Sequence, residues 1–276
     1  MEPVAASESS TGPGGAGRRA PAPPDDAQRP LLSLLIPAYN ERLTVLGVIE
    51  RVRAVPFPCA FEIIVVDDGS TDGTTDILRA KENGGQPFPP AGVRVFFHER
   101  NRGKGAAVQT ALEHVRGEIV VIQDADEELD PTDILPLLAE VRSGRPVCYG
   151  SRFMRDTARF RFKLIYWANR TLTLMSNLLA GQTLTDMNTC YKMMRTDIAR
   201  RLALESRGFT IEPEITVKLA RLGLPIVEVP IRYKPRDRAA GKKIRSRDFV
   251  RYIVAMLRFR FSRSFRGNAK SGGKRG

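Results

Sequence analysis

The sequence predicts a single α/β domain in which a mostly parallel central sheet is flanked by helices. Short apolar stretches alternate with segments of helical period between residues 31 and 122, which is the pattern of βαβ units. The chain has 276 residues and an apolar fraction of 42%, enough for one large core. We expect a disordered tail over residues 1–30, the main domain over 31–248, and a basic amphipathic segment over 249–276.

Six segments in the first half of the chain carry the periodicity of regular structure. The first strand is expected to end at Pro37, and Ser70 or Asp72 to cap the helix that follows the second strand. In chain order, the predicted elements are strand Leu31–Ile36, helix Thr44–Val55, strand Glu62–Val66, strand Gly92–His98, helix Gly105–Val115 and strand Glu118–Ile122.

Polar clusters follow three of these predicted strands. They are PAYNE after the first strand, DDGSTD after the second and QDADEE after the fourth. In open parallel sheets, ligands bind in the crevice beyond the carboxyl ends of the strands. We therefore expect the three turns to converge on one crevice.

The last of these clusters places several carboxylic acids directly after an apolar strand, in a chain of net charge +13. Carboxylates packed this closely repel one another unless a cation lies among them. Asp124 and Asp126, one residue apart, are placed to share Mg²⁺ or Mn²⁺, which prefer hard oxygen ligands and often take phosphate oxygens as well. The alternative is a solvated acidic turn.

Two further positions have both a functional and a structural interpretation. Asp67 and Asp68 directly follow the second strand, and an acidic side chain there, Asp68 in particular, is placed to accept a hydrogen bond from a base or ribose. The alternative is that it caps the helix that follows. The stretch NRGKG, residues 101–105, lacks the spacing of a Walker phosphate-binding loop. Lys104 is then either a donor-binding residue or a solvent-exposed side chain where a loop enters a helix.

Charge and cysteine content indicate the partners and the compartment. From Arg232 to Gly276, sixteen Lys/Arg and two Asp/Glu give 16 − 2 = +14, so the basic surface is mainly C-terminal. Nucleic acid, anionic lipid and phosphorylated ligands all remain open as partners on charge alone.

Three widely spaced cysteines predict reduced thiols in a cytoplasmic setting. The first thirty residues have no apolar core typical of a signal peptide.

Two segments interleave basic and aromatic residues beside apolar ones. They are residues 158–179 and 249–270, and both suit helices lying in the headgroup layer of a membrane. The alternatives are a core helix with a wet edge for the first and a solvated basic tail for the second. No run of 18 apolar residues occurs, so we expect peripheral attachment rather than a membrane span.

Eight motifs in order resemble an inverting family-two glycosyltransferase with the GT-A fold, in which half of the domain is a Rossmann-like nucleotide-binding unit. The subgroup that the chain resembles most is the polyprenyl-phosphate (dolichyl-phosphate) mannose or glucose synthases. The resemblance extends from about Leu31 to Phe249. The motifs are LIPAYNE, IIVVDDGSTDGT, HERNRGKGAA, VIQDADEELDP, GSRF, LTDMNTCYKMMR, FTIEPEIT and PIRYKPR…GKKI.

The resemblance implies a role for each matching position. Asp126, Arg152 and Asp186 are the catalytic candidates, and the last motif places Arg236, Arg238 and Lys243 in a basic loop over the diphosphate. Asn188 stands where relatives often have an acid, so no acid or base role is carried to it. The implied metal ligands are Asp124, Asp126 and Glu128. The implied donor contacts are Pro37, Tyr39, Glu41, Asp68, Asp124, Ala125, Asp126, Arg152, Arg236, Arg238 and Lys243, to which we add Lys104.

The implied reaction moves a hexose from GDP-mannose or UDP-glucose to polyprenyl phosphate at the cytoplasmic face of a membrane. A phosphate acceptor is already anionic at neutral pH and needs no strong base, whereas a hydroxyl acceptor would need Asp126 or Asp186 to take its proton. Two alternatives stay open: the same donor chemistry on a soluble or saccharide acceptor, and a non-catalytic binder of nucleotide sugars or nucleic acid. No recognisable nucleic-acid module supports the last.

Overall fold

The computed structural model describes residues 31–83, 92–154, 163–235, 246–262 and 265. Arg236, Arg238, Lys243 and the predicted N-terminal tail lie outside these ranges. The strands are β1 Leu32–Ala38, β2 Phe61–Asp67, β3 Val93–Phe97, β4 Ile119–Ile122, β5 Val147–Ser151, β6 Lys192–Arg195 and β7 Ile226–Pro230. The helices are α1 Val45–Arg53, α2 Thr74–Asn83, α3 Lys104–Glu113, α4 Ile134–Arg142, α5 Lys163–Ala180, α6 Thr196–Arg201, α7 Ile211–Arg221 and α8 Ser246–Phe261.

The seven strands form one sheet in the order β3-β2-β1-β4-β6-β5-β7. Neighbouring strands from β3 to β4 are parallel, as are β5 and β7, whereas β6 runs antiparallel to both β4 and β5. The predicted mostly parallel α/β sheet is therefore confirmed. Because β2, β1 and β4 are adjacent and parallel, the loops that follow them leave the same edge of the sheet.

The end predicted for the first strand at Pro37 is wrong, since β1 continues to Ala38 with Pro37 paired to Val66. The carbonyls of Leu31 and Leu35 accept hydrogen bonds from the β4 side. Alternation along the strand turns Pro37 toward that same side. β4 ends at the level of Leu35, so the missing N–H of Pro37 breaks no ladder hydrogen bond.

The C-terminal helix belongs to the same core as the sheet. Met256 and Phe259 of α8 are buried in the hydrophobic cluster that also contains β1 and β2. The domain boundary predicted between residues 248 and 249 therefore falls inside a helix that packs into the core. Across the described ranges, no helix is both long enough and apolar enough to cross a bilayer.

Candidate active site

The loops after β1 and β2 are joined by backbone-to-side-chain hydrogen bonds. The Asn40 side-chain oxygen accepts from the Thr71 N–H at 2.8 Å, and the Asn40 N–H donates to the Ser70 hydroxyl at 2.9 Å. The Arg42 N–H donates to Asp72 at 3.1 Å. Asp72 also accepts from the N–H of the first residue of α2. The predicted convergence of these two turns is thus confirmed, and Asp72 serves the helix start as expected.

Four donor-binding candidates lie on or beside this edge. Pro37 is near the end of β1, Tyr39 is exposed in the loop after it, and Ala125 is buried in the turn after β4. Glu41 accepts a hydrogen bond from the Thr44 hydroxyl at 2.8 Å, which fixes its carboxylate beside the start of α1.

Asp68 is buried and organises the loop that leads into α3. Its carboxylate accepts from the N–H groups of Arg102 at 2.9 Å and Gly103 at 2.6 Å, and lies 2.7 Å from Nδ1 of His98. Gly103 has φ 97°, and a Cβ there would clash with the Arg207 carbonyl. The acid holds the NRGKG loop in place, a role that the sequence interpretation missed.

The acidic turn after β4 places its carboxylates in different surroundings. Asp126 is buried and accepts from the Glu128 N–H at 3.3 Å, whereas Asp124 is partly exposed and forms an ion pair with Lys104 at 2.9 Å. In the part of the chain that the structure describes, no three acid, histidine or cysteine side chains are grouped to hold a metal. Asp124, Asp126 and Glu128 are therefore not a ready-made set of three ligands. Two carboxylate ligands completed by phosphate oxygens still fit the chemistry of Mg²⁺ and Mn²⁺.

The Lys104 side chain is only 11% exposed, so the solvent-exposed alternative is wrong. Its ammonium group bridges Asp124 at 2.9 Å and Glu212 at 2.8 Å. Burial lowers the pKa of Lys104, but the nearby charges, Asp124 foremost, outweigh it and hold the pKa well above its usual value. Glu212 is paired in turn with the fully buried Lys192. The four charges alternate in sign, so each buried charge faces an opposite one.

Lys192 and Glu212 both lie in motifs of the family resemblance, but neither was predicted as a site residue. Lys192 lies between buried neighbours at the start of β6, and every residue of α7 from Ile211 to Leu219 is buried. The signal available was a charged residue directly beside apolar ones, as in KMM for Lys192 and IEP for Glu212. The pairing of Lys192 with Glu212 could not be predicted from the sequence, because the two residues come from different elements.

Arg152 and Asp186, two catalytic candidates, form a two-point ion pair. Nε of Arg152 donates to Asp186 at 2.7 Å and Nη2 donates at 2.9 Å to the other carboxylate oxygen. Burial alone would lower the pKa of Arg152, but Asp186 raises it above its usual value. Asp186 is fully buried, and Glu228 fixes its loop by accepting from the Asp186 N–H at 3.0 Å. This geometry suits Asp186 to orienting Arg152 rather than to taking a proton.

Arg152 is connected to the acidic turn through the segment that follows β7. Its guanidinium lies over the Tyr233 ring, 5.2 Å from the centroid. Tyr233 forms a β-bridge with Leu129, and the Lys234 N–H donates to the Glu128 carbonyl at 2.8 Å. An open cleft beside these residues has both acidic and basic walls. It is lined by Arg51, Glu127, Glu128, Leu129, Asp130, Arg232, Tyr233 and Lys234.

Asn188, to which the sequence analysis assigns no acid or base role, has a structural partner. Its amide nitrogen donates to the side-chain oxygen of Asn169 at 2.9 Å. The pair connects the loop before β6 to α5, and no acid or base chemistry is required of it.

The arrangement described above, with acidic and basic groups at the carboxyl edge of a mostly parallel sheet, is that of a GT-A glycosyltransferase. Residues 33–203 match glycosyl transferase family 2, and the chain belongs to that family.

Relatives with curated names include several that act on polyprenyl phosphates, according to those names. The undecaprenyl-phosphate mannosyltransferase of Micrococcus luteus is 33% identical, over 75% of this chain and 85% of that protein. The dodecaprenyl-phosphate galacturonate synthase of Rhizobium johnstonii is 30% identical, over 86% of this chain and 68% of that protein. The glycosyltransferase AglJ of Haloferax volcanii is 31% identical over 74% of this chain, which spans 63% of its length.

Solved structures show the same fold. Glucosyl-3-phosphoglycerate synthase from Mycobacterium tuberculosis, crystallised with Mn²⁺, UDP and phosphoglyceric acid, is similar with a TM-score of 0.59 at 21% identity. The match covers 84% of this chain and 78% of that chain. At this identity the likeness supports the fold and leaves the acceptor open.

Proposed function

We propose that the protein transfers a hexose, with inversion, from a nucleotide-diphosphate sugar to polyprenyl phosphate in a metal-dependent reaction. The names of the Micrococcus and Rhizobium relatives support this class of acceptor. The structural observation that carries the proposal is the pairing of Asp186 with Arg152. Of the two carboxylates that a hydroxyl acceptor could use as a base, Asp186 is committed to an arginine and Asp126 is the proposed metal ligand, which suits an acceptor that is already anionic.

The donor diphosphate would be held at the edge where β1, β2 and β4 end. Asp124 and Asp126 would hold Mg²⁺ or Mn²⁺, and the metal would supply charge stabilisation for the leaving diphosphate. Two further contributions come from this chain. Asp68 keeps the NRGKG loop in shape, and Lys104 neutralises the charge of Asp124 while no metal is bound. The donor would contact Pro37, Tyr39, Glu41, Asp68, Lys104, Asp124, Ala125, Asp126 and Arg152.

The segment after β7 supports a role for the basic residues that follow it. Tyr233 and Lys234 contact the acidic turn, and the chain then continues into Arg236, Arg238 and Lys243. Cations added there would form charge-assisted hydrogen bonds with a diphosphate bound at that turn. We propose that these three residues complete the donor site.

The acceptor phosphate would approach Arg152. A phosphate monoester has a second pKa near 6 and is mostly a dianion at neutral pH, so it attacks the anomeric carbon without losing a proton. Arg152, whose guanidinium is fixed by Asp186, would orient it. We propose the cytoplasmic face of the membrane as the location, which is consistent with three free cysteines.

A donor-by-acceptor assay tests the proposal. Purified protein is incubated with labelled GDP-mannose or UDP-glucose, Mg²⁺ or Mn²⁺, and a short polyprenyl phosphate, and the lipid is then extracted. We expect label in the lipid fraction with one donor and its loss on adding EDTA. Donor hydrolysis without labelled lipid would instead indicate a soluble or saccharide acceptor. The absence of both labelled lipid and donor hydrolysis would contradict the assignment of an enzyme.

A further inference from the structure

The start of α3 is held by a carboxylate from another part of the chain. Gly103, the residue at the N-terminal cap of this helix, has no side chain with which to cap it. Asp68, in the loop after β2, accepts hydrogen bonds from the N–H groups of Arg102 and Gly103. A helix leaves its first N–H groups without partners, and its dipole favours a negative charge there. Asp68 thus anchors the start of α3 from 35 residues away in the chain.

His98 is a third group that holds the Asp68 carboxylate. Its Nδ1 lies 2.7 Å from Oδ1 of Asp68, and its Nε2 lies 2.9 Å from the Thr110 hydroxyl. An ionised carboxylate only accepts hydrogen bonds, so Nδ1 carries a proton and donates it to Asp68. The His98 and Asp68 side chains are only 5% and 3% exposed, so little water competes for this hydrogen bond.

The histidine gives the carboxylate a reference point outside the loop that it organises. Oδ1 of Asp68 accepts from both His98 and the Arg102 N–H, and Oδ2 accepts from the Gly103 N–H. Two of these three donors belong to the NRGKG loop itself, so they cannot fix the carboxylate independently of the loop. His98 can, because its backbone N–H is bonded to the Asp67 carbonyl and its ring is held at the far side by α3.

The loop held in this way leads directly to the acidic turn after β4. Its fourth residue is Lys104, whose ammonium group lies 2.9 Å from Asp124 and 2.8 Å from Glu212. The turn after β2 also packs tightly against the chain just before the loop, since a Cβ at Gly69 would collide with the Arg100 backbone. A displacement of the Asp68 carboxylate would therefore shift the NRGKG loop, and with it Lys104.

We propose that His98 is a positioning residue of the donor site. By holding Asp68 it sets the NRGKG loop, and the loop sets the place of Lys104 beside Asp124. His98 acts through these residues and makes no contact with the donor. The effect on donor binding rests on the proposed function, whereas the effect on the loop does not. The competing explanation is that His98 serves only the stability of the fold.

Two matched substitutions separate the two hydrogen bonds of the ring. In His98→Asn, the amide nitrogen takes the place of Nδ1 and keeps the hydrogen bond to Asp68. In His98→Gln, the amide takes the place of Nε2 and keeps the hydrogen bond to Thr110. Both variants exchange an imidazole for an amide and lose one hydrogen bond, so a purely structural role predicts similar losses in both. The positioning role predicts that His98→Asn resembles the wild type and that His98→Gln does not.

Limited proteolysis reads the state of the loop without donor or acceptor. Arg100 and Arg102 are exposed, and trypsin cleavage after each is followed by mass spectrometry in the native protein. We expect cleavage about tenfold faster in His98→Gln, because losing a hydrogen bond to a charged group raises the population of the open loop. Thr110→Val keeps the hydrogen bond between His98 and Asp68 and should be cleaved at the wild-type rate. Equal rates in the two His98 variants, or a Thr110→Val rate as fast as that of His98→Gln, would overturn the proposal.

Transfer kinetics test the consequence for the donor. With GDP-mannose or UDP-glucose, whichever the wild type uses, we expect the donor KM of His98→Gln to rise about tenfold with a smaller change in kcat, and His98→Asn to restore it. Faster cleavage of His98→Gln with an unchanged donor KM would overturn the role in the donor site. A wild type that transfers from neither donor would refute the proposed function, while the trypsin comparison would still decide whether His98 sets the loop.

Discussion

At the scale of single residues, the site depends on opposite charges that are buried together. Lys104 lies between Asp124 and Glu212, and Arg152 is held at two points by Asp186. Removing one member of a buried pair costs about 3–5 kcal/mol, because the other charge is left uncompensated. The same pairs that hold the fold therefore also set the positions of the groups proposed to meet the donor and the acceptor.

Lys104→Met tests the pairing with Asp124. The free energy of unfolding should fall by about 3 kcal/mol, since Asp124 and Glu212 lose their shared cation. If Asp124 holds the metal, Mg²⁺ should then raise the thermal midpoint of the variant more than that of the wild type, because the ammonium no longer competes for the carboxylate. Thermal shift with MgCl₂ alone measures this. Lys104→Arg keeps the charge and serves as the control, and an equal Mg²⁺ response in all three proteins would contradict the prediction.

Asp126→Asn tests the metal role of the second acid. The amide keeps the size of the side chain and an oxygen for the Glu128 N–H, so the thermal midpoint should stay near that of the wild type. Transfer should fall by roughly a hundredfold or more, because a neutral ligand stabilises the cation poorly. Normal turnover by the folded variant would rule out Asp126 as a metal ligand.

At the scale of elements, α7 is the helix around which the second half of the protein packs. Glu214 accepts from the N–H groups of Glu205 and Ser206, both at 2.8 Å, and pairs with the buried Lys218 at 2.7 Å. Lys218 also donates to the Ala203 carbonyl at 2.8 Å. The two charged residues thus fasten the loop before α7 to the helix itself.

Lys218→Met should destabilise the protein by about 3–5 kcal/mol, since Glu214 keeps its charge in the core without its cation. Urea unfolding measures the loss. Lys218→Met combined with Glu214→Gln should recover part of it, because the uncompensated charge is gone while hydrogen-bonding capacity remains. A double variant less stable than the single one would show that the amide contacts of Glu214, not the ion pair, dominate.

Sequence patterns predicted best those strands and turns whose signal lies in consecutive residues. β1, β2 and β4 are short apolar runs followed by polar turns, and parallel neighbours must release their loops at one edge. The antiparallel β6 could not be read in this way, because it is a four-residue strand that begins with a buried lysine. A local sequence pattern could not predict the burial of Lys104 either, because its partner Glu212 is 108 residues away in the chain.

At the scale of the whole molecule, burial makes the thiols of Cys148 and Cys190 unreactive. Burial, with smaller contributions from Glu140 and Glu228, raises the pKa of Cys148 from 9.0 to about 12, and burial raises the pKa of Cys190 further. At pH 8, a thiol reagent should react with Cys59 alone in native protein and with all three cysteines after unfolding. Rapid modification of Cys148 in the folded protein would contradict this.

The raised thiol pKa values also predict a pH dependence of stability. Below pH 9 both folded and unfolded states keep the Cys148 thiol protonated, so this group adds no pH dependence there. Between pH 9 and about 12 only the unfolded state loses the proton, so the free energy of unfolding falls as pH rises. Urea midpoints across this range, compared with those of Cys148→Ser, measure the contribution.

The central claim is that this family-two glycosyltransferase uses a phosphate, not a hydroxyl, as its acceptor. The most direct test compares three acceptors with one labelled donor and Mg²⁺: a polyprenyl phosphate, the polyprenol of the same length, and a soluble phosphate monoester. The account predicts transfer to polyprenyl phosphate and none to the polyprenol. Transfer to the polyprenol at a similar rate would contradict it, and preference for the soluble phosphate would keep the phosphate chemistry but refute the lipid acceptor.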